Sequence, residues 1–416
     1  MLSNTTASLG ALAEKITVGH VGSMADEYVD KGIPFLRSLN VNPFFFDPTG
    51  IKYISDKFHE RLGKSALEPG DVVVVRTGNP GAACVIPEHL VEANCSDLVI
   101  IRCGDKLDPY FVSYYINSVT HSHVKGQLVG AIQKHFNIGS AKELSFPDIS
   151  KSEQARISTV LSVIDSKVDC NNRINAELEA MAKTLYEYWF VQFDFPDAKG
   201  KPYKTSGGTM VHNPILRRDI PADWASGNVR AVADLLGGGT PSKKKSQYWG
   251  GDIPFFTPTD ADGAVFKYST EDYITELGLK ESSTKLFEKN TILISARGSV
   301  GKLVLTGVDM AMNQSCYALK AKQGISHSYL FFLVKELIHH LKVKASVSGS
   351  VFNSIVTNDI EFTNLAIPNN KVIQQFAAIV EPMFERIANN TRQNQQLTQL
   401  RDWLLPMLMN GQVTVK

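Results

Sequence analysis

The sequence predicts an α+β protein with two β-rich domains, each followed by a long helix. Three observations predict this fold: a repeat with an offset of about 220 residues, short apolar runs early in each repeat, and a seven-residue apolar period late in each repeat. Two equivalent halves in one chain most simply pack about a pseudo-twofold axis, which makes the helices an antiparallel coiled coil. The predicted segments are a first domain at 1–150, a first helical spacer at 151–191, a linker at 192–225, a second domain at 226–370 and a second helical spacer at 371–416.

The repeat is visible by direct alignment of the two halves. Residues 9–19 align with 229–239, and 32–35 align with 252–255, both at an offset of 220. Further on, 71–76 aligns with 290–295, and 94–96 aligns with 313–315, at offsets of 219. A period of this length is too long for a solenoid and fits a duplicated domain plus helix.

The first part of each repeat has the pattern of short strands. Apolar runs such as 72–75, 98–101, 291–294 and 303–305 are separated by Gly, Pro and Asn. Runs of this length bounded by turn residues are typical of strands. We therefore expect each domain to be β-rich.

The last part of each repeat has the pattern of a long helix. The apolar residues Ile157, Ile164, Leu178 and Leu185 recur at sevens, and the same phase returns 219 residues later as Phe376, Met383, Leu397 and Leu404. Polar residues interrupt both seams at matched positions, namely Asn171, Asn175, Asn390 and Asn394. Buried asparagines at such positions fix helix register, while the alternative is a solvated surface. Pro382 predicts that the second helix starts near it or kinks there.

Composition sets the class of protein without suggesting a ligand. Hydrophobic residues make up 43% and charged residues 20% of the 416 residues, as in ordinary globular proteins. The formal net charge of +1 argues against a protein that coats nucleic acid without selectivity. Five cysteines without a C-x-x-C pair indicate neither a zinc site nor a disulfide framework, and with no signal or membrane segment apparent we expect a cytoplasmic protein.

Three segments after the first helix resemble a known family. They are residues 189–196 (WFVQFDFP), 200–210 (GKPYKTSGGTM) and 220–224 (IPADW), which look like the central region of Type I restriction-modification specificity subunits. Residues 237–243 (GGGTPSK) and 248–255 (YWGGDIPF) resemble the start of that family's target recognition domains. The first domain departs from this pattern, with VGHVG at residues 18–22.

The resemblance implies a function in DNA recognition. In this family each target recognition domain reads one half of a split, asymmetric site in double-stranded DNA. The helices set the spacing and dock two methyltransferase subunits, to which restriction subunits add. The resemblance implies no catalysis and no cofactor in this chain, and it places S-adenosylmethionine, ATP and Mg in the partner subunits.

Motifs that could support an independent enzyme are incomplete. Residues 42–45 (NPFF) approach the base-holding motif of amino-methyltransferases but lack its second proline. Residues 296–303 (ARGSVGKL) approach a phosphate-binding loop, yet Ala296 replaces the first glycine and Leu303 replaces the magnesium-binding Ser or Thr. A β-turn that presents Arg297 is the better interpretation, with residues 76–81 as its counterpart.

Polar side chains on loops are the candidates for DNA contact, because Arg, Lys, Asn, Gln and acidic groups read base edges and Lys, Ser and Thr meet phosphates. In the first domain these are Arg37, Ser38, Asn40, Arg76, Thr77, Asn79, Gln127, Gln133, Lys134 and His135. In the second they are Thr257, Thr259, Asp260, Arg297, Ser299, Lys302, Ser348, Ser350 and Asn353. The run Lys243, Lys244 and Lys245 beside Tyr248 and Trp249 fits a phosphate contact or, alternatively, a solvated loop.

Two hypotheses of other classes remain open. A stand-alone methyltransferase or nuclease would modify DNA without partners, although its motifs are missing. A structural coiled-coil adaptor would explain the helices but leaves the polar loops of two β-rich domains without a purpose, and it would bind no duplex.

Overall fold

A computed structural model describes residues 6–125, 136–349, 351–413 and 415. The chain divides into two compact units, the first made of residues 1–169 with 395–416 and the second of residues 170–394. Both boundaries fall inside the two long helices. Each unit therefore contains one β-rich domain and parts of both long helices.

The first unit contains thirteen strands and four short or medium helices in its described residues, followed by the first long helix. The strands are β1 (Thr6–Ser8), β2 (Lys15–Val18), β3 (Tyr28–Val29), β4 (Ile33–Leu36), β5 (Val41–Asn42), β6 (Phe45–Phe46), β7 (Lys52–Ile54), β8 (Ala66–Leu67), β9 (Val72–Val75), β10 (Ala83–Val85), β11 (Ala93–Cys95), β12 (Leu98–Arg102) and β13 (Ser145–Pro147). The helices are α1 (Leu9–Leu12), α2 (Asp56–Arg61), α3 (Pro109–Lys125), α4 (Ile138–Glu143) and the long α5 (Lys151–Tyr186).

The second unit contains the remaining elements. Its strands are β14 (Met210–Asn213), β15 (Arg218–Pro221), β16 (Ala225–Gly227), β17 (Ala233–Gly237), β18 (Trp249–Phe256), β19 (Phe266–Lys267), β20 (Asp272–Ile274), β21 (Leu286–Phe287), β22 (Ile292–Ser295), β23 (Leu303–Thr306), β24 (Met310–Met312), β25 (Cys316–Ala321) and β26 (Leu365–Ile367). Its helices are α6 (Glu276–Lys280), α7 (His327–Val347), α8 (Thr357–Glu361) and the long α9 (Asn370–Met409), whose last turns belong to the first unit.

The two domains have matching sheet topologies. In the first unit the strand orders are β10-β9-β12-β2 and β3-β7-β4-β11-β8. In the second they are β17-β25-β22-β23-β19 and β20-β18-β24-β21. Strands β2, β12, β9 and β10 thus correspond to β17, β25, β22 and β23, and β7, β4, β11 and β8 correspond to β20, β18, β24 and β21. The described part of the chain is an α+β fold with the same domain topology twice.

Strand pairing corrects one part of the sequence alignment. Cys95 pairs with Leu36 in the first domain, and Met312 pairs with Phe256, 220 residues after Leu36, in the second. The aligned residue of Cys95 is therefore Met312 rather than Gln314. As a result, two residues connect β11 to β12, whereas three residues, Asn313 to Ser315, connect β24 to β25. The repeat alignment is wrong by two residues here, because the Asn and Ser residues that match in sequence do not occupy equivalent positions in the two sheets.

Apolar burial explains why the long helices hold to their domains. Near its start α5 buries Ile157 and Leu161 against Phe111 of α3 and against Leu405 and Leu408 at the end of α9. In the second unit Phe376 and Val380 of α9 and Tyr186 of α5 are buried with residues of α7. The helix that follows each domain's last long strand thus packs on the long helices, and the heptad positions contact it as well as each other.

Contacts inside each unit show that α5 and α9 run antiparallel where they meet. In the second unit Asn175 contacts Asn390, while Tyr186, eleven residues later, contacts Phe376, fourteen residues earlier. In the first unit Asp165 of α5 binds Arg401 of α9 at 2.8 Å. The predicted antiparallel direction agrees with these contacts.

The four predicted seam asparagines meet in the second unit. Asn171 is fully buried and donates to Gln393 and Asn394, both at 2.8 Å, and Asn390 donates to Asn175 at 2.9 Å. Asn394 in turn donates to Asn172 at 2.8 Å. These bonds pair most of the amide groups between the helices, although Oδ1 of Asn171 is buried without a partner, which costs stability. We call these residues the amide layer.

The expected effect of Pro382 on the start of the second helix is wrong. Helix α9 begins at Asn370 and continues through Pro382 to Met409. A proline removes the hydrogen bond to the carbonyl four residues earlier, which here belongs to Ala378. Both Pro382 and Ala378 are exposed, so water can bond that carbonyl instead of the missing N–H.

The segment predicted as a linker is folded. Strands β14 and β15 form a hairpin, and the rings of Phe195 and Tyr203 stack with centroids 4.6 Å apart. Trp224 stacks on Phe195 and contacts Phe193 edge-on. The aromatic residues on which the family resemblance rests therefore form a small core that is continuous with the end of α5.

Candidate nucleic-acid interface

The predicted loops of the second domain lie together at one end of its first sheet. Gly237, Ser295 and Cys316 occupy the same end of β17, β22 and β25, because Gly237 pairs with Tyr317 and Ser295 pairs with Cys316. The loops that leave this end are therefore residues 238–241, 296–302 and 313–315. We call this group the second loop cluster.

The turn at residues 296–302 presents Arg297 as predicted from the sequence. Gly298 and Gly301 have φ values of 81° and 78°, which only glycine adopts without strain, and the Gly301 N–H donates to the Ser295 carbonyl at 2.8 Å. Arg297 and Ser299 are exposed. Lys302 is exposed too, but its ammonium donates to the Ala261 carbonyl at 2.7 Å, so it also ties this turn to the next loop.

The neighbouring loop at residues 257–260 is a tight 3-10 turn held by its own side chains. One carboxylate oxygen of Asp260 accepts from the Thr257 N–H and hydroxyl, both at 2.8 Å, and the other accepts from the Glu271 N–H at 2.9 Å. Asp260 is only 8% exposed. Its assignment to DNA contact is therefore corrected to a structural one, while Thr259 stays exposed.

The same correction applies to Asn40, the equivalent residue of the first domain. Asn40 is fully buried, accepts from the Arg37 N–H at 3.0 Å and donates to the carbonyls of Asp47 and Thr49. Both amide hydrogens are used and the side chain is fully buried, so Asn40 cannot reach a base. Arg37 is half-buried and donates to the Gly50 carbonyl at 2.8 Å, whereas Ser38 is exposed.

The glycine turn of the first domain differs from its counterpart in charge. Arg76 forms an ion pair with Asp97, which lies in the two-residue connection between β11 and β12. The guanidinium thus already has a carboxylate partner before any ligand binds. Thr77 and Asn79 of this turn are exposed.

In each domain a later segment of the chain makes a backbone hydrogen bond to the start of the glycine turn, and the two bonds are equivalent. Phe136 N–H donates to the Arg76 carbonyl at 3.2 Å, and Ile355 N–H donates to the Ala296 carbonyl at 2.9 Å. Asn353 and Ser348 are exposed, and Arg297 bridges to Ser354 in the antiparallel sense. Asn353 therefore borders the second loop cluster. The candidates Gln127, Gln133, Lys134, His135 and Ser350 lie outside the described residues.

The lysine run at residues 243–245 is exposed and backed by aromatic rings. The Lys243 ammonium lies 5.9 Å from the Trp249 ring centroid, and that of Lys245 lies 4.9 Å from the Tyr248 ring centroid. A hydrogen bond from Lys245 to the Tyr248 hydroxyl raises the pKa of Lys245. Lys245 is therefore charged at neutral pH, and the ammonium groups of Lys243 and Lys245 are both held against aromatic rings.

Sequence reasoning missed several residues of these loops. Thr240 and Gln314 in the second domain, and His20 and Asp97 in the first, lie at the same sheet ends as the predicted residues. Only their neighbours in sequence, the glycine run and the aligned Asn-x-Ser, carried a signal. That signal was used for the alignment and not for the site.

The described residues contain neither a cluster suited to a metal ion nor a membrane-spanning helix. Among these residues no three His, Cys, Asp or Glu side chains are grouped so as to hold a metal ion. In the same part of the chain no helix has the length and apolar character needed to cross a membrane.

Comparison with known proteins points to one family. A family model described as the Type I restriction modification DNA specificity domain matches residues 221–399. The MjaIX specificity subunit of Methanocaldococcus jannaschii is 29% identical over 403 residues, covering 94% of this chain and 89% of the relative. Over nearly its whole length this chain is similar to Type I restriction enzyme specificity subunits. The HindI specificity subunit of Haemophilus influenzae is 25% identical over 326 residues, covering 67% of this chain and 70% of the relative.

A solved structure shows that the fold is shared as well. The crystal structure of the Type I S subunit from M. genitalium aligns with 98% of this chain and 97% of its own length, with a TM-score of 0.54 at 15% identity. The resemblance drawn from the sequence motifs is therefore confirmed. The loops described above belong to two domains of a chain that shares the fold of a Type I S subunit.

Proposed function

We propose that each domain of this specificity subunit reads one half of a split, asymmetric sequence in double-stranded DNA. The observation that carries this proposal is that two domains of matching topology expose different polar side chains on equivalent loops. The second domain exposes Arg297, Ser299 and Thr259, whereas the first exposes Ser38, Thr77 and Asn79. Different polar groups on the same framework are what two different half-sequences require.

The domain boundaries in this proposal are those drawn from the sequence, 1–150 and 226–370. The elements β1 to β13 fall within the first range and β17 to β26 within the second, whereas β16 begins one residue before the second range. Helix α5 follows the first range directly, and α9 begins at the last residue of the second. The segment at 192–225, with its aromatic core, then connects the first helical spacer to the second domain. The cysteine spacing keeps the cytoplasm as the expected location.

An exchange of residues 1–150 for the same segment of another specificity subunit tests the division of labour. The chimera is expressed with its methyltransferase partner, and the modified motif is determined by methylation-aware genome sequencing. One half of the motif should change and the other should stay as in the parent. A change in both halves would contradict the assignment of one half-sequence to each domain.

We further propose that the long helices set the spacing and, arranged about a pseudo-twofold axis, dock two methyltransferase subunits, to which restriction subunits add. Exposed apolar side chains on these helices support a docking role, since Met181, Leu400 and Trp403 are 55%, 43% and 63% exposed. In this arrangement the chain itself performs no catalysis. S-adenosylmethionine, ATP and Mg then act in the partner subunits.

A further inference from the structure

We propose that Gln314 determines specificity in the second domain by reading an adenine, and that Thr240 orients its amide for this purpose. The inference rests on the proposed DNA-reading function of the second loop cluster. It assigns a role to the glycine-rich run at 237–241, which the sequence analysis noted but gave no function.

Gln314 lies where the two domains differ in length. It is the middle residue of the three-residue turn between β24 and β25, and the equivalent turn of the first domain has only two residues. Gln314 is exposed. A turn that changes length between otherwise matching domains can change the sequence that is read without disturbing the sheets.

The turn that carries Gln314 is rigid. The Asn313 side chain accepts from the Ser315 N–H at 3.0 Å, and the Asn313 N–H donates to the Phe256 carbonyl at 3.0 Å. The Ser315 carbonyl accepts from the Ala296 N–H at 2.9 Å. Gln314 is thus fixed at both ends by backbone bonds to neighbouring strands and to the Arg297 turn, so little entropy is lost when it binds.

Two glycines bring Thr240 to this turn. A Cβ atom on Gly238 would lie 2.2 Å from the Asn313 carbonyl oxygen, and one on Gly239 would lie 2.3 Å from the Ser283 hydroxyl oxygen. Only glycine allows the backbone to approach so closely at these positions. The Gly239 N–H donates to the Met312 carbonyl at 3.1 Å, which places Thr240 beside Gln314.

In the structure the bond between Thr240 and Gln314 holds the amide with Oε1 toward the hydroxyl. The Thr240 hydroxyl donates to Oε1 of Gln314, which leaves one lone pair on Oε1 and both hydrogens on Nε2. Within the described part of the chain, Nε2 of Gln314 donates to no acceptor. Adenine presents the N7 acceptor and the N6 amino donor in the major groove, and an amide with one acceptor site and one donor site matches both.

Arg297 lies on the same rigid surface. Its N–H donates to the Ser315 carbonyl at 3.3 Å, so the residue after Gln314 holds it. In the first domain the shorter turn instead places Asp97 against Arg76. The second domain therefore carries Gln314 and Arg297 on two turns that are joined by backbone bonds, and an amide and a guanidinium are the groups that read adenine and guanine.

The test uses the full chain expressed with its methyltransferase partner, and the methylated motif is measured by genome sequencing. Gln314→Ala should reduce discrimination at one position of one half-sequence by about 5- to 150-fold, the range for one bidentate base contact, and leave the other half unchanged. Gln323→Ala is the matched control, because Gln323 is an exposed glutamine beyond the opposite end of β25. It should leave the motif as in the parent.

Two further substitutions test orientation and chemistry. Thr240→Val should weaken the preference at the same position as Gln314→Ala, and Thr240→Ser should restore it, since only the hydroxyl is needed. Gln314→Glu should shift that position from adenine toward cytosine, because a carboxylate accepts from the cytosine amino group and offers no donor to N7 of adenine.

The outcomes separate this inference from the function on which it rests. If the parent complex methylates no split motif, the proposed function fails. If the parent does so and neither Gln314→Ala nor Gln314→Glu changes the motif, Gln314 reads no base and only this inference fails. An even loss over all positions would assign Gln314 to a phosphate and would also overturn it.

Discussion

The matched pair Asn40 and Asp260 shows how one polar position is used for folding rather than for recognition. Both residues are the third residue of a 3-10 turn, and both accept a bond from the backbone N–H that precedes it. Their side chains replace hydrogen bonds that the end of the preceding strand cannot make. A polar residue in a loop therefore qualifies as a DNA contact only if it is exposed and keeps a free donor or acceptor.

Loss of the Asp260 carboxylate should destabilise the protein. Asp260→Ala removes three hydrogen bonds in a mostly buried position, so we expect the free energy of unfolding to fall by about 1–3 kcal/mol. Thr259→Ala, next to it and exposed, should change it by less than about 0.5 kcal/mol. Urea titration measures both, and equal effects would show that the capping bonds contribute little.

Arg297 and Lys244 should behave differently toward DNA although both are exposed cations. Arg297→Ala should weaken binding to the specific duplex by about 1–3 kcal/mol and relax preference at one position if the guanidinium reads a guanine. Lys244→Ala should weaken all duplexes alike and reduce the salt dependence, as loss of a phosphate contact does. Binding titrations at several salt concentrations on a panel of duplexes measure this; identical behaviour of the two variants would contradict the assignment.

At the scale of elements, Arg401 fastens the end of α9 to the first domain. Its guanidinium binds Asp165 of α5 at 2.8 Å and lies 4.2 Å from the Phe44 ring centroid, and Asp165 also accepts from the Tyr114 hydroxyl. Burial alone would lower the pKa of Arg401, but Asp165 raises it, and the net direction is upward. Residues 42–45 are thus a hairpin whose Phe44 packs under an arginine, which accounts for that motif without enzymatic chemistry.

Removal of this arginine should loosen the first unit. The Arg401 side chain is 15% exposed and that of its partner Asp165 is 23% exposed. Arg401→Ala should therefore lower the free energy of unfolding by about 1–3 kcal/mol. Arg392→Ala is the control on the same helix, since Arg392 is exposed and lies 5.3 Å from the Tyr268 ring centroid. It should cost about 1 kcal/mol or less. A larger loss for Arg392→Ala in urea titrations would refute the fastening role.

The amide layer should lower the stability of the protein and, in return, restrict α5 and α9 to one register. Replacing the buried pair by Asn171→Leu with Asn390→Leu should raise resistance to urea, because apolar side chains replace desolvated amides. The same change should allow shifted or intermolecular helix pairing, seen as mixed oligomers in native mass spectrometry. A double variant that stays a single species and methylates the parent motif would show that register is fixed elsewhere.

For the whole molecule, the long helices are predicted to act as a ruler between the two half-sequences. Helix α5 has 36 residues, so its length is about 54 Å at about 1.5 Å per residue. Because α5 and α9 are paired antiparallel, a lengthened ruler needs insertions in both helices. One heptad in each, after Asp169 and after Asn394, adds about 10 Å and turns the helix by only about 20° from its original phase.

The double insertion should keep both half-sequences and lengthen the unread spacer by about three base pairs, at about 3.4 Å each. An insertion in α5 alone should instead abolish methylation, because it breaks the register of the amide layer. Methylation-aware sequencing distinguishes the cases. A folded double insertion that methylates the original spacer would leave the helices as a docking surface only.

The chain's sequence determined its repeat, its long helices and its family, because these depend on local signals. Heptad spacing predicts helices at 151–191 and 371–416, and the structure has α5 from Lys151 and α9 from Asn370. Short apolar runs between turn residues predict strands for the same reason. Aromatic and glycine motifs at 189–255 indicate the family directly.

Only the tertiary structure decided which polar loop residues remain available for DNA. The side chains of Asn40 and Asp260 are hydrogen-bonded to carbonyls and N–H groups up to eleven residues away. Arg76 forms an ion pair with Asp97, 21 residues along the chain. Gln314 is placed beside Thr240, 74 residues earlier, by a close backbone approach at two glycines. A hydrogen bond depends on the distance between two atoms in space, and that distance is set by how the strands pair, so the letters of a single loop could not reveal it.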